Sequence, residues 1–262
     1  MVRVLSDIAY AHLQRTRGRY IEPFLGGGAV ALDLGLPNMI LADVCEPLIQ
    51  AYTQVRDFWP QVAWTLGTYA HRGVDKDTYL DVRDERPMSH IQQAAHFLYL
   101  NSLCFNGVWR VNSNGVFNVS YGSKSDGTPG KLRTIQELQQ FADAIKASTL
   151  TASDFRATLA VASEGDFVYA DPPYFGTFDD YSTGRFTAKD HADLAEALRI
   201  AYDHGADLVA TNMDTPEVRE LYSWAAIQVT GEMHRVCRDP AKRGKVSTVL
   251  ISTIPDLVGV EV

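Results

Sequence analysis

The sequence predicts an α/β protein built on a doubly wound, mostly parallel sheet, and three observations lead there. Six short apolar runs with the character of buried strands recur along the chain. Segments of helical periodicity separate several of them, the alternation that builds parallel sheets. One run, FVYA at 167–170, ends in DPPY. Neither proline has an N–H to donate to a ladder, so that strand stops at Asp171 and leaves Asp171 and Tyr174 at its carboxyl end.

Taken in order, the first strand is 20–24, followed by three glycines and a helix over 29–35. A second strand at 39–42 leads to Asp43 and a helix over 47–58. From about 59 to 130 no buried strand is evident. Helical patterns come first, including 91–100, then a polar Asn- and Gly-rich stretch in which VWRVNSNGVFNVS predicts a hairpin turning at Asn114-Gly115. A helix over 134–147 precedes the return of the sheet at 149–151. Strand 167–170, a helix over 188–202 and strands at 207–211 and 248–253 complete it. Thr187 is the expected N-cap of the 188–202 helix, with an acid at the third helical position. The expected division is therefore a core in two parts, 1–58 and 131–262, around an insertion at 59–130.

Composition narrows the class. The chain has 262 residues, 46% hydrophobic and 21% charged, ordinary for a soluble globular protein. No apolar run approaches the ~20 residues that span a bilayer, and the opening MVRVLSDIAYAHLQR breaks too early for a signal-peptide core. A cytoplasmic protein without a membrane partner, monomeric in solution, is expected. Three dispersed cysteines (Cys45, Cys104, Cys237) read as reduced thiols, and the seven histidines show no metal-ligand spacing. Net charge is −8, which by itself disfavours a polyanionic partner. Its distribution points the other way: 105–124 contains no acid, and 233–245 carries five Lys or Arg against Asp239 alone.

Two stretches carry chemistry. In YIEPFLGGGAVA, Gly26, Gly28 and Ala31 satisfy G-x-G-x-x-A between a strand and a helix, where the missing Cβ atoms let a ligand approach the backbone. Asp43 ends the next strand, placed to accept hydrogen bonds from ribose hydroxyls. These residues predict a nucleoside-cofactor site without separating NAD, FAD and S-adenosylmethionine. The DPPY corner separates them. Asp171 and the Pro172 carbonyl are two rigid acceptors suited to a planar exocyclic amine, Pro173 stiffens the turn, and Tyr174 offers a ring on which a base can stack. Asn212 and Asp214, at another strand end, can equally cap the following helix or face the site.

With these residues in place, the chain resembles the Dam-type, D12-class DNA adenine-N6 methyltransferases from about Ile21 to Ile254. Six blocks stand in the family order: EPFLGGGAV (22–30), LADVCEPLIQAY (41–52), FLYLNSLCFNGVWRVNSNGVFNVSYG (97–122), SDF (153–155), DPPY (171–174) and TNMDT (211–215). The resemblance implies a Rossmann-like, doubly wound mixed sheet of the class I methyltransferase type, with an inserted helical-plus-hairpin target-recognition domain. It implies S-adenosylmethionine as cofactor, with Glu22, Phe24, Gly26 and Gly28 around its methionine part, Asp43 on the ribose, Asp154 and Phe155 flanking its adenine, and Asp171 also among the cofactor-binding residues. Asp171 and Pro172 would then bind the N6 amine of a flipped adenine in double-stranded DNA while Tyr174 stacks on it. Asn106, Trp109, Arg110, Asn112 and Asn118 fall where the family contacts phosphates and base edges. Restriction-modification, regulation and phage protection are the biological settings implied, in a bacterial, prophage or phage context. Cytosine N4, RNA adenine or a DNA-binding remnant with little turnover are the alternative readings.

The pattern departs from the family in two places. Nothing in MVRVLSDIAYAHLQRTRGRY matches the usual opening KWAGGK segment, so weaker cofactor affinity or looser sequence preference is expected. Ser102 stands where the family usually has Arg.

Overall fold

The computed structural model describes residues 1–123, 126–176, 186–234 and 245–254. The chain opens with α1 (Val2–Thr16), β1 (Tyr20–Glu22), α2 (Ala29–Leu34) and β2 (Ile40–Asp43). Four helices follow, α3 (Glu46–Arg72), α4 (Lys76–Arg83), α5 (His90–Leu103) and α6 (Ile135–Ala144), with a 3-10 turn at Phe105–Gly107. The remainder is β3 (Thr149–Ala152), α7 (Phe155–Leu159), β4 (Phe167–Ala170), α8 (Ala188–Asp203), β5 (Asp207–Met213), α9 (Pro216–Leu221), β6 (Ala226–His234) and β7 (Lys245–Ser252). These elements form two compact units, residues 1–44 with 147–262 and residues 45–146. No helix among the described residues is long and apolar enough to cross a membrane.

The first unit is the doubly wound mixed sheet that the sequence predicts. Its strand order is β3-β2-β1-β4-β5-β7-β6, with β1 to β5 parallel and β7 antiparallel to both of its neighbours. Alternation along each strand supplies two apolar faces. Ile21, Val168, Ala170, Leu208 and Ala210 pack against Phe155 and Leu159 of α7, Leu194 and Leu198 of α8 and Val218 of α9. The opposite face carries Tyr20 and Phe167, stacked at 6.2 Å, with His12 of α1 against Phe167 at 5.6 Å. The strand order reverses between β1 and β4, so a crevice opens at their carboxyl ends, where open α/β sheets bind ligands.

Two elements differ from expectation for physical reasons. β6 was not foreseen: AIQVTGEMH mixes polar and apolar residues because it is an edge strand, and it carries a register shift between Val229 and Gly231. Helix α1 was also unforeseen, although Leu5, Ala9, His12 and Leu13 are buried at helical spacing. The helix expected over 47–58 does lose helical geometry at Phe58, and a second helical segment follows it within α3. The chain bends there, with φ −141° at Phe58 two residues before Pro60, and α3 continues to Arg72.

The second unit packs α3 against α5 and α6. Three of its helices begin at side-chain caps: Asp75 for α4, and capping boxes Ser89 with Gln92 for α5 and Thr134 with Glu137 for α6. The expected hairpin is present as a tight turn, with Asn112 N–H bonded to Val116 O at 2.8 Å and Asn118 N–H to Arg110 O at 3.1 Å. Gly115 takes φ 73°, the left-handed conformation for which the Asn-Gly pair is suited. The backbones of the arms meet at the isolated bridge Val111 with Phe117.

Candidate active site

The glycine loop leaves β1 and enters α2 with Gly26 at φ 45° and Gly28 at φ 64°. Among the described residues a Cβ on Gly26 or Gly27 would meet nothing within 4 Å, so a ligand could lie against the loop there. Asp43, at the end of β2, accepts the Gly26 N–H at 2.9 Å through Oδ2. The strand-end carboxylate thus fixes the loop, and the Leu25 N–H bond to Ala42 O at 2.8 Å ties it down a second time. Asp154 caps α7 by accepting the Arg156 N–H at 2.9 Å, and it also pairs with the Arg156 guanidinium. Phe155 is buried, stacked on Phe24 at 5.5 Å with Phe186 at 5.6 Å, and the Arg156 guanidinium covers its ring at 4.3 Å.

Glu22 is the least ordinary group here. It is 2% exposed and accepts a 2.8 Å hydrogen bond from the Tyr20 hydroxyl. Burial pushes its pKa up to about 8, the Asp171 and Asp43 charges add to the rise, and the Tyr20 hydroxyl and Ala31 N–H oppose it. Three carboxyl groups, on β1, β2 and β4, therefore feel one another.

The sign of the pH effect follows. Between its ordinary range near 4.5 and about 8, folded protein keeps a proton on Glu22 that the unfolded chain has lost. Stability therefore falls as pH rises through that window and levels off above it. Glu22→Gln mimics the neutral acid and removes the effect. The melting temperature of the variant relative to the parent is expected to be near its parent's at pH 5 and several degrees higher at pH 8.5. A difference that stays constant across that range would contradict the assignment.

At the end of β4, Asp171 is exposed, Pro172 buried and Tyr174 half-buried. The Thr211 hydroxyl of β5 donates to Asp171 Oδ1. Burial, followed by the Asp171 charge, pushes the Tyr174 phenol up to about 12, so its hydroxyl stays protonated at neutral pH. Past the tyrosine, the Phe175 N–H donates to Asn212 Oδ1 at 2.9 Å. Asn212, ambiguous from sequence, is fully buried beside the corner, whereas Asp214 pairs with Arg219 at 2.6 Å and Thr215 caps α9. Thr211 and Tyr20 were not foreseen. The available signal was a polar residue at the end of an apolar strand next to the DPPY strand, and a tyrosine two residues from a buried acid on the same face.

The hairpin candidates lie in the second unit. Trp109 sits between Phe97 and Phe117, with both ring centroids at 4.4 Å. Arg110 Nε donates to Asn118 Oδ1 at 2.9 Å, leaving the far side of the guanidinium outward on an exposed residue. Asn112 Oδ1 accepts the Asn114 and Val116 N–H groups at 2.9 and 3.0 Å, which holds the turn. Asn106 takes φ 56° inside the 3-10 turn. Of the basic stretch 233–245, residues 235–244 lie outside the described residues, as does Cys237; Cys45 and Cys104 form no disulfide with one another.

Residues 3–236 match the D12 class N6 adenine-specific DNA methyltransferase family. Among curated proteins, a Vibrio cholerae DNA adenine methylase is 32% identical over 257 residues, covering 94% of this chain and 90% of the relative. The Lactococcus lactis Type II methyltransferase M1.LlaDCHI is 29% identical, covering 95% and 91%. The DNA N-6-adenine-methyltransferase of Escherichia phage P1 is 36% identical over 223 residues, and the chain spans 28% of that longer protein.

Proposed function

The chain belongs to the D12 class N6 adenine-specific DNA methyltransferases, and from that premise we propose that it moves a methyl group from S-adenosylmethionine to the N6 amine of an adenine flipped out of double-stranded DNA. The observation that carries this reading is the convergence at one sheet edge. The glycine loop, Glu22 and Asp43 stand at the ends of β1 and β2, and the DPPY corner stands at the end of β4 beside them. The residues present fit the cofactor: among the described residues nothing crowds Gly26 or Gly27, and a buried Glu22 carboxyl that feels the Asp171 and Asp43 charges suits a ligand with cationic centres. When bound, the cofactor supplies an electrophilic methyl on a sulfonium, which is already a good leaving group.

The protein's share is placement and electrostatics. Glu22, Phe24, Gly26 and Gly28 hold the methionine part, Asp43 the ribose, and Asp154 and Phe155 flank the cofactor's adenine. Asp171 and the Pro172 carbonyl accept the two N–H groups of the target amine. This draws its nitrogen toward a tetrahedral, electron-rich form that conjugation with the ring otherwise disfavours. Pro173 keeps the corner stiff and Tyr174 stacks on the base. Asn106, Trp109, Arg110, Asn112 and Asn118 contact the DNA, Arg110 through a guanine edge or phosphate.

Calorimetric titration with S-adenosylmethionine tests the cofactor half. At pH 7 a mostly protonated Glu22 beside a cationic ligand should release about one proton on binding, read from the dependence of the heat on buffer ionisation enthalpy. Asp43→Ala should weaken binding about tenfold or more, because it loses the ribose acceptor and also frees the Gly26 loop. Absence of binding at millimolar cofactor to folded protein would sink the reading.

A further inference from the structure

The DPPY corner raises a packing question that its own backbone cannot answer. Pro172 and Pro173 offer no N–H, so the stretch that must hold a carboxylate and a ring in place is short of the bonds that normally fix a strand end. The neighbouring strand supplies the missing contacts from its side chains. β4 and β5 run in parallel register with Ala170 opposite Ala210, which sets Thr211 beside Asp171. Consecutive strand residues point to opposite faces, and Thr211 and Asn212 use both. The Thr211 hydroxyl donates to Asp171 Oδ1 at the near end of the corner. Asn212 Oδ1 accepts the Phe175 N–H at 2.9 Å at the far end and the Met213 N–H at 2.8 Å from its own strand. Both residues are buried, Thr211 at 3% and Asn212 at 0% exposure, whereas Asp171 is exposed.

A carboxylate on an exposed corner turns freely about its last bond unless one oxygen is held. Fixing Oδ1 sets where Oδ2 stands, and a bond from a rigid, β-branched side chain in the sheet interior does this at little entropic cost. We propose that Thr211 is a positioning residue for methyl transfer, setting the rotation of the Asp171 carboxylate so that it and the Pro172 carbonyl meet the target amine together. This inference rests on the reading that Asp171 binds the amine.

The test is steady-state methylation of DNA by four variants, with thermal unfolding of each. Thr211→Val keeps the shape and removes the hydroxyl, Thr211→Ala removes both, Thr211→Ser keeps the hydroxyl, and Asp171→Ala serves as reference. Thr211→Val is expected to lower kcat by about 10- to 100-fold, with KM for DNA and cofactor within about twofold of the parent, since ground-state binding is untouched. Thr211→Ser should recover kcat to within a few-fold. The proposal is overturned if Thr211→Val keeps parental kcat while Asp171→Ala is inactive, or if Thr211→Ser is as slow as Thr211→Val. It is overturned equally if neither Thr211→Val nor Thr211→Ala folds, which would make the hydroxyl a stability device. An active Asp171→Ala would instead remove the reading beneath it, a separate outcome.

Discussion

Asp171→Ala is expected to give a folded protein that binds DNA and cofactor but transfers methyl groups on the order of 1000-fold more slowly. The side chain is exposed and accepts a bond from the Thr211 hydroxyl, so little packing is lost. What disappears is one of two acceptors for the amine. An exocyclic amine conjugates its lone pair into the ring and is a poor nucleophile as it stands; accepting both N–H bonds localises that pair on nitrogen. The Pro172 carbonyl alone accepts one. The effect should therefore appear in kcat and leave KM for both ligands near the parent, because the interaction matures in the transition state. A rise confined to KM, with kcat unchanged, would mean that Asp171 serves binding alone.

Gly18→Ala has the largest expected effect on stability. A Cβ there would stand 1.9 Å from Gly165 O and 2.6 Å from Asp166 N, both backbone atoms that cannot swing aside. That carbonyl already accepts the Thr16 hydroxyl at 2.7 Å and bonds to the His12 ring at 3.1 Å. The next residues are knotted as tightly. The buried Asp166 carboxylate accepts Arg19 N–H at 2.7 Å and the Arg19 guanidinium at 2.6 Å, and the Phe167 N–H bonds to Arg19 O at 2.8 Å. One methyl group therefore pushes β1 away from β4 at the point where the sheet is assembled. A loss of at least ~3 kcal/mol is expected, read by denaturant unfolding. The same strands carry Glu22 and Asp171 at their other ends, so activity should fall with stability. An unchanged midpoint would mean that the two strands separate here without cost.

Much of this architecture is legible in the sequence because a few residues act through local covalent geometry. Pro172 and Pro173 end β4 wherever the rest of the chain lies, and Asn114-Gly115 turns the hairpin for the same kind of reason. The glycines between β1 and α2, with Asp43 at the next strand end, mark the loop. Helix α3 resumes past its kink at Phe58 because Pro60 falls in the first turn of the new segment, where its missing N–H costs no helical bond. What the sequence conceals depends on neighbours far along the chain. β6 is an edge strand whose mixed pattern has no period to read. The partners of Glu22 and Asp171 are hidden for the same reason. Tyr20 is two residues from its acid, but Thr211 reaches Asp171 across forty residues of chain, through strand register alone. In the hairpin, composition shows that Asn112 and Asn118 are polar. It does not show that Asn112 holds the turn and Asn118 holds Arg110.

The most direct measurement is to incubate unmethylated genomic DNA with the purified protein and methyl-labelled S-adenosylmethionine, then map every modified base by single-molecule sequencing. The predicted result is label in N6-methyladenine and in no other base, abolished in Asp171→Ala. Label in N4-methylcytosine, label only when RNA replaces DNA, or unmodified DNA from a folded protein saturated with cofactor would contradict adenine methylation by this site.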